Sequence, residues 1–294
     1  MEIESHYVGA TSTPLTVALS PRQTMNYAAA LGDTNPMYFD DLREEGIWAP
    51  PMLAVALTWP LSSRFNKFWG NTDFPVEAQQ RQVHYNESIS WIRPIRPDET
   101  LEIQGTIVAM EKHPAGTLIT IRYDARGRDG VNVFTEHIGG LLRGVTLRGE
   151  NAVMEAPPVP VPAPTDSGEI WSKNIAVDSL AAHVYDGCTD IVFPIHTSVA
   201  FARHVGLTDP IYHGTATLGL AVREILNRKG SGDPTTLSSV NCGFRGMVTP
   251  GTSITVRFRA ILQEADQRVV YFDVANDTGD LAIRDGRVVL RHAS

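Results

Sequence analysis

The sequence predicts an α+β fold built from two similar units, each with a central helix packed against an antiparallel sheet. Three observations support this prediction: a proline-rich stretch near the midpoint, a motif whose spacing recurs in both halves, and strand-rich segments that follow an apolar helix in each half. The chain has 294 residues, which is enough for two domains of about 150 residues each.

Composition indicates a soluble globular protein. Apolar residues make up 43% of the chain and charged residues 20%, which is ordinary for that class. The formal net charge of -8 provides no basic field for a polyanion, so we expect no nucleic-acid partner. It does not exclude a small anionic ligand, because local arginines bind phosphates whatever the net charge.

Cysteine usage and hydropathy indicate a cytoplasmic location. The two cysteines, Cys188 and Cys242, form no C-x-x-C pair, which fits a reducing compartment and predicts neither a disulfide framework nor a thiolate metal site. The first residues lack the basic and apolar regions of a signal peptide. Since no run of about 18 apolar residues occurs, we expect no membrane span.

The proline-rich stretch covers residues 154–168 and has five prolines between positions 157 and 164. Proline fixes φ and removes a hydrogen-bond donor, so we expect a semi-rigid polyproline II linker. This interpretation divides the chain into an N-terminal unit (1–153), the linker (154–168) and a C-terminal unit (169–294). The alternative is a proline-rich surface loop within one domain.

A motif of fixed spacing recurs on both sides of the linker. Tyr27 precedes Pro36 by nine positions, and Tyr185 precedes Pro194 by the same distance. Two positions after each proline stands an aromatic ring, which is Tyr38 in the first half and His196 in the second. Such self-similarity indicates repeated structural units.

The segments that follow the motif also correspond. Apolar helix candidates lie at 52–61 and 215–226. Each half then continues with alternating strands separated by turn residues, including 117–145 and 268–291. Two such units can pair their sheets edge to edge, which removes exposed edges.

The segment 193–214, FPIHTSVAFARHVGLTDPIYHG, resembles the hydratase motif of MaoC-like enzymes, the (R)-specific enoyl-CoA hydratases and 3-hydroxyacyl-thioester dehydratases. That motif runs D-x-N-P-[IL]-H-x-D, then about ten residues to a glycine, then P-[IL]-x-H-G. Here Gly206 follows His196 by ten residues, and His213-Gly214 comes at the matching distance. The resemblance covers nearly the whole chain and implies a double hot-dog fold.

The first half carries a partial copy of the motif. Asp33, Asn35 and Pro36 satisfy D-x-N-P, but Tyr38 replaces the histidine, and Ala54 aligns with Gly214. The resemblance therefore implies that the first half shapes the acyl cavity while the second half carries the chemistry. Asp33 and Asn35 are expected to stabilise a turn, because their side chains bond nearby backbone groups.

By this resemblance, Asp190 and His196 are the catalytic pair, which holds one water between a carboxylate and an imidazole. Imidazole suits proton transfer because its ordinary pKa, about 6.5, lies near neutral pH. Gly214 begins a helix, so its free backbone N–H could stabilise the negative charge that develops on the thioester oxygen. Tyr212 and Thr215 are further candidate substrate contacts, although they could equally pack in the core.

Two departures from the motif affect this prediction. Phe193 stands where the family has asparagine, and Asp190 precedes His196 by six residues rather than five. The equal tyrosine-to-proline spacing aligns Asp190 with Gly32 of the first half, and a local bulge could return its carboxylate to the expected place. Asp186 is a competing candidate for the same role.

The predicted chemistry requires an acyl-CoA thioester as the substrate, no cofactor and no metal. A homodimer of such chains is a further expectation. Two other functions remain open. One is a hot-dog thioesterase, for which the helix offers only Glu224 as a carboxylate. The other is a non-catalytic acyl-thioester binder. Aromatic side chains of the first half either line the acyl cavity or build the core: Trp48, Trp59, Phe65, Phe68 and Trp69.

Overall fold

The computed structural model describes residues 1–164 and 170–292. Its helices fall into two sets, one in each half of the chain. The helices are α1 (Pro21–Ala30), α2 (Ala54–Ser63), α3 (Phe65–Trp69), α4 (Val76–Gln79), α5 (Ala181–Thr189), α6 (Val199–His204) and α7 (Gly214–Lys229). In the described part of the chain, no helix is long and apolar enough to cross a membrane.

The strands follow the same division into halves. In the first half they are β1 (Glu2–Glu4), β2 (Leu15–Ala18), β3 (Gln82–Trp91), β4 (Thr100–His113), β5 (Gly116–Gly127), β6 (Asn132–Arg143), β7 (Thr146–Arg148) and β8 (Ala152–Val153). In the second half they are β9 (Trp171–Ala176), β10 (Leu237–Phe244), β11 (Ser253–Gln263), β12 (Gln267–Ala275) and β13 (Leu281–Arg291).

One antiparallel sheet runs through both halves. Its strand order is β2-β4-β5-β6-β3-β10-β13-β12-β11-β9, with β8 added beside β4. The order β2-β4-β5-β6-β3 in the first half is repeated as β9-β11-β12-β13-β10 in the second. The two halves join where β3 pairs with β10, for example Glu87 with Cys242. The predicted α+β class and edge-to-edge pairing are therefore confirmed.

The central helices α2 and α7 begin at the two aligned positions, Ala54 and Gly214. Helix α7 packs against β12 and β13, and α2 packs against β6. Nearly every position of α7 from Ala216 to Leu226 is buried, because a helix enclosed by a sheet has no polar face to present to water. Helix α2 is shorter and contains Pro60.

The proline-rich segment runs beside the sheets. Where it begins, the Met154 N–H donates to the carbonyl oxygen of Val108 at 2.8 Å. Glu155 forms an ion pair with Arg122 and lies 3.2 Å from the Nε2 of His137. Further along, Ala163 packs against a small apolar cluster of the second half. The last positions of the predicted linker, 165–168, lie outside the described residues.

The aromatic residues of the first half belong mainly to the core. Phe65, Phe68 and Trp69 are buried, and the rings of Phe65 and Trp69 stack with centroids 5.4 Å apart. Trp59 packs against the core, and Trp48 lies under the guanidinium of Arg96. Of the two interpretations of these rings, the core interpretation is confirmed for the three buried side chains.

Candidate active site

His196 lies in a short 3-10 turn, Pro194–His196, between α5 and α6. Its Nδ1 lies 2.8 Å from the carbonyl oxygen of Ile211. A carbonyl oxygen can only accept, so Nδ1 carries the proton and Nε2 keeps a free lone pair. Burial lowers the pKa of His196 to about 4, although the bond to Ile211 opposes this shift. The imidazole is therefore neutral at pH 7.

A second histidine ring stacks on the first. The centroids of His196 and His213 are 3.7 Å apart, with an angle of 24° between the ring planes. The Nε2 of His213 lies 3.1 Å from the carbonyl oxygen of Ile191, and its Nδ1 has no hydrogen-bond partner among the described residues. Burial and then the neighbouring His196 lower the pKa of His213 to about 3. His213 thus fixes the plane of His196 and is itself neutral.

Gly214 is the first residue of α7, directly after His213. The first N–H groups of a helix have no partner within it and carry the positive end of the helix dipole. Gly214 and Thr215 are only half-buried, although the helix behind them is enclosed. A β-carbon at position 214 would lie 3.2 Å from the Phe244 ring, so glycine leaves space here that a side chain would fill.

The other two predicted contacts, Tyr212 and Thr215, differ in their surroundings. Thr215 accepts a hydrogen bond from the Tyr185 hydroxyl at 3.2 Å, which places its side chain at the boundary between core and surface. Tyr212 is 4% exposed and belongs to the core, and burial raises its pKa. Contact of Tyr212 with a substrate stays a prediction.

Asp190 caps the C-terminus of α5 in a left-handed conformation, with φ 58°. Gly32 has the same φ of 58° at the aligned position after α1. The backbone therefore has the same left-handed turn after the helix in both halves, which agrees with the alignment of Asp190 with Gly32. The Asp190 residue is exposed, and Ile191 occupies the position that corresponds to Asp33.

Asp186 lies one turn earlier in α5 and is half-buried. Its Oδ2 is enclosed and has no hydrogen-bond partner among the described residues. Burial raises its pKa, while His183 and the backbone N–H of Phe193 oppose the shift. The carboxylate therefore lies next to the loop that carries His196. In the described part of the chain, no hydrogen bond or ion pair joins His196 to Asp186 or Asp190.

Phe193, which replaces the asparagine of the motif, is 38% exposed. Its ring lies edge-on to His196 with centroids 6.4 Å apart, and edge-on to Phe201 at 5.7 Å. The substitution thus places an apolar ring, rather than an amide that could bind water, at the entrance of the site.

The aligned positions of the first half are arranged as a structural turn. The Asp33 carboxylate accepts from the Asn35 N–H at 3.1 Å, and the Asn35 side chain accepts from the Met37 N–H at 3.0 Å. Tyr38, in place of the histidine, is 2% exposed. The turn prediction for Asp33 and Asn35 is confirmed. The same loop borders an open polar cleft of about 680 Å³.

Comparison with known proteins assigns a family description to each half. Residues 171–276 match the "MaoC like domain". The second half carries a MaoC-like domain. Residues 6–136 match the description "FAS1-like, dehydratase domain region". The MaoC-like domain therefore contains the two stacked histidines and Gly214, and the first half also matches a dehydratase-related description.

Solved structures show which fold the two halves form together. A MaoC-like dehydratase from Phytophthora capsici superimposes with a TM-score of 0.82, at 22% identity over 97% of each chain. A Mycobacterium tuberculosis protein described as having a double hot-dog fold gives a TM-score of 0.63, at 12% identity over 97% of this chain and 96% of that one. At these identities the likeness shows the fold, which is the predicted double hot-dog.

Two curated relatives are similar over shorter stretches. A UPF0336 protein of Streptomyces griseus is 26% identical over 141 residues, which cover 46% of this chain and 91% of that protein. The peroxisomal enoyl-CoA hydratase 2 of Arabidopsis thaliana is 36% identical over 61 residues, which cover 21% of this chain and 20% of the hydratase. The alignment with the hydratase thus spans one fifth of that enzyme.

Proposed function

We propose that this protein catalyses the reversible addition of water to a trans-2-enoyl-CoA, which gives an (R)-3-hydroxyacyl-CoA. One observation carries the proposal. His196 is neutral with a free lone pair on Nε2, and its ring stacks on His213, the residue directly before the first residue of α7. Similarity to an enoyl-CoA hydratase 2 and to a MaoC-like domain supports the same reaction.

In this proposal His196 is the general base. Its Nε2 takes a proton from water as the water oxygen bonds to the β-carbon, and a proton is returned to the α-carbon. The hydroxyl thus ends on the β-carbon and the proton on the α-carbon, so the atoms of one water are accounted for. His213 is a positioning residue, because its stacked ring restricts the orientation of His196.

Negative charge develops on the thioester oxygen while the new C–O bond forms. The Gly214 N–H, at the positive end of the 16-residue helix α7, is the proposed donor to that oxygen. Because Gly214 has no side chain, the thioester carbonyl can approach its N–H closely. Thr215, also half-buried, is the proposed neighbouring substrate contact.

Two carboxylates, Asp190 and Asp186, are candidates for orienting the water. Asp190 directly follows α5, and its exposed side chain leaves it available to an incoming ligand. Asp186 has the enclosed, unpartnered oxygen and the raised pKa that acid–base groups often show. Comparing the asparagine variants of both residues assigns the role.

A thioesterase is less compatible with the site. Glu224 would have to direct water at the carbonyl, but its carboxylate already pairs with Lys173 at 2.9 Å and with Arg223 at 2.8 Å. Burial acts to raise the pKa of Glu224, yet these two cations hold it below its usual value. The second candidate is a non-catalytic acyl-thioester binder, which the isoleucine at the Asp33-equivalent position favours.

The test follows loss of enoyl-thioester absorbance on a panel of trans-2-enoyl-CoA substrates. We expect His196→Ala to lower kcat/KM by about 10²–10⁴-fold, the usual contribution of a general acid–base group. His204→Ala, which alters an exposed histidine on α6, is the matched control and should keep full activity. Thioester binding without hydration by the wild type would instead support the binder.

A further inference from the structure

Two glutamates are enclosed on the inward face of the first half of the sheet. Glu87 of β3 and Glu136 of β6 are both 0% exposed. In the β3–β6 register Glu87 faces Ile138 and Glu136 faces Ile89, so the two glutamates are diagonal neighbours on one face. Carboxyl groups are rarely buried without partners, which makes this pair unusual in an apolar core.

The pair lacks the hydrogen bonds that buried polar groups normally make. None of the four carboxyl oxygens of Glu87 and Glu136 has a hydrogen bond of normal geometry among the described residues, although the two carboxyls lie beside each other and the Ser88 N–H lies near Glu87. The Nε2 of His84 also has no hydrogen bond of normal geometry to any described residue, although it lies 3.1 Å from a Glu87 oxygen. Thr58 is adjacent to Glu136, but its hydroxyl donates to the Val55 carbonyl oxygen.

Burial favours the neutral form of each of these groups. Burial raises the pKa of both glutamates well above the usual value, and the second carboxyl raises that of Glu136 further. Burial lowers the pKa of His84 to about 4. Each protonated carboxyl offers one O–H donor and one acceptor oxygen. One hydrogen bond between the two carboxyls leaves the second O–H and one carbonyl oxygen for a further partner.

A series of ring contacts connects this cluster to the proposed reaction site. Phe244 packs against the position of Gly214, and the His84 ring lies 4.6 Å from the Phe244 ring. The His84 side chain is 27% exposed along its edge, whereas its Nε2 is enclosed and faces Glu87 behind it. An acyl chain that extends from Gly214 past Phe244 would therefore meet His84 and then the two carboxyls.

We propose that His84, Glu87 and Glu136 form a polar subsite that binds a hydroxyl group on the acyl chain of the substrate. This inference rests on the proposed acyl-CoA function and specifies its substrate class. A hydroxyl can donate to one group and accept from another, which satisfies a neutral cluster. A carboxylate would add a third buried acid, and a plain alkyl chain would leave the polar atoms unpaired, which penalises its binding.

The experiment measures binding separately from turnover. Saturated acyl-CoA thioesters of increasing chain length are compared with their ω-hydroxylated counterparts by isothermal titration calorimetry. At one chain length we expect the hydroxylated member to bind at least about tenfold more tightly to the wild type, since a site that hydrogen-bonds a hydroxyl rejects the analogue without it. Glu87→Leu and Glu136→Leu should abolish this ratio, and Glu136→Gln should retain part of it.

Glu102→Leu, which alters an exposed carboxyl on β4, is the matched control and should leave the ratio unchanged. Circular dichroism establishes that each variant is folded, and His84→Asn provides a third substitution should the leucine variants not fold. Three results would overturn the subsite. The plain and ω-hydroxylated thioesters could bind equally at every chain length, or ω-carboxylated thioesters could bind more tightly than either. The ratio of the two affinities could also survive every substitution in the cluster. Wild-type hydration of plain enoyl thioesters would stand independently of those results.

Discussion

The hydroxyl groups of Tyr27 and Tyr185 lie 3.1 Å apart in the buried interface between α1 and α5. These are the two residues that begin the repeated motif, so equivalent positions of the two halves contact each other here. Tyr185 also donates to Thr215 at 3.2 Å, which links the junction of the halves to the start of α7.

Substitution of these tyrosines should have unequal effects on stability. Tyr27→Phe removes one buried hydrogen bond and should lower the free energy of unfolding by about 1 kcal/mol. Tyr185→Phe removes the partner of both Tyr27 and Thr215, so it should cost about 1–3 kcal/mol. Urea unfolding of the single and double variants measures both. An additive double variant would contradict a direct interaction between the hydroxyls.

The left-handed backbone at Asp190 predicts the outcome of a glycine substitution. Asp190→Gly should raise the free energy of unfolding by a few tenths of a kcal/mol to about 1 kcal/mol, because glycine adopts positive φ without a steric cost. Thermal unfolding measures this gain. Hydration by the same variant is equally informative: retained activity would exclude the Asp190 carboxylate and assign the role to Asp186, which Asp186→Asn then tests.

A β-carbon at Gly214 should impair catalysis more than folding. Gly214→Ala places a methyl group 3.2 Å from Phe244 and beside the proposed oxyanion donor, so kcat should fall by about 10²–10³-fold. Gly187→Ala is the control, because a methyl group there would meet no atom within 4 Å beyond its own stretch of helix, and alanine favours the helix. Equal activity of the two variants would count against the oxyanion role of Gly214.

The buried carboxyl pair should leave a signature in the pH dependence of stability. The folded-state pKa of Glu136 lies above the unfolded value of 4.5. As pH rises above 4.5 the unfolded chain releases this proton while the folded chain retains it, so stability is lost. The Glu136→Gln variant does not lose stability in this way, because glutamine has no proton to release. Its stability relative to wild type should therefore grow with pH, by up to about 1.4 kcal/mol per pH unit.

Urea unfolding between about pH 5 and 8 measures this difference, with Glu102→Gln as the exposed control. A difference that stays flat over the window would mean that the pKa of Glu136 is close to its ordinary value in the folded protein.

The low pKa of His196 predicts an unusual pH–rate profile. A base with a pKa of about 4 is already unprotonated at pH 5.5, so kcat/KM should not fall near 6.5, the ordinary histidine pKa. Hydration rates between about pH 5.5 and 8 on one enoyl-CoA check this. An inflection near 6.5 that disappears in His196→Gln would contradict the burial of the imidazole in the reacting enzyme.

The features that sequence predicted depend on spacing and local pattern. The equal interval from tyrosine to proline correctly aligned α1 with α5, and the helix-start position of the motif aligned Ala54 with Gly214, which are the first residues of α2 and α7. The pairing of the two sheets followed from the need to cover edge strands. Such signals are short-range, so they survive in a single sequence.

The features that sequence did not predict depend on contacts between distant segments. The stacking of His196 on His213 requires the loop after α5 to fold back onto the start of α7. The approach of His84 to Phe244 crosses the junction between the halves. One signal was available locally: Glu87 shares the inward face of β3 with Ile89 and Trp91, where alternation predicts an apolar residue. The placement of Asp190 also followed from its alignment with Gly32.

The β3–β10 junction has a consequence for how the two halves depend on each other. Within its own half each junction strand is paired on one side only, β3 with β6 and β10 with β13, so either half alone would expose the other edge of a long strand to solvent. The covalent connection keeps the complementary strand at a high effective concentration, as in a tethered dimer. Because the tether frees each copy from having to be identical to the other, one half could lose its histidine and its helix-start glycine while the other kept both.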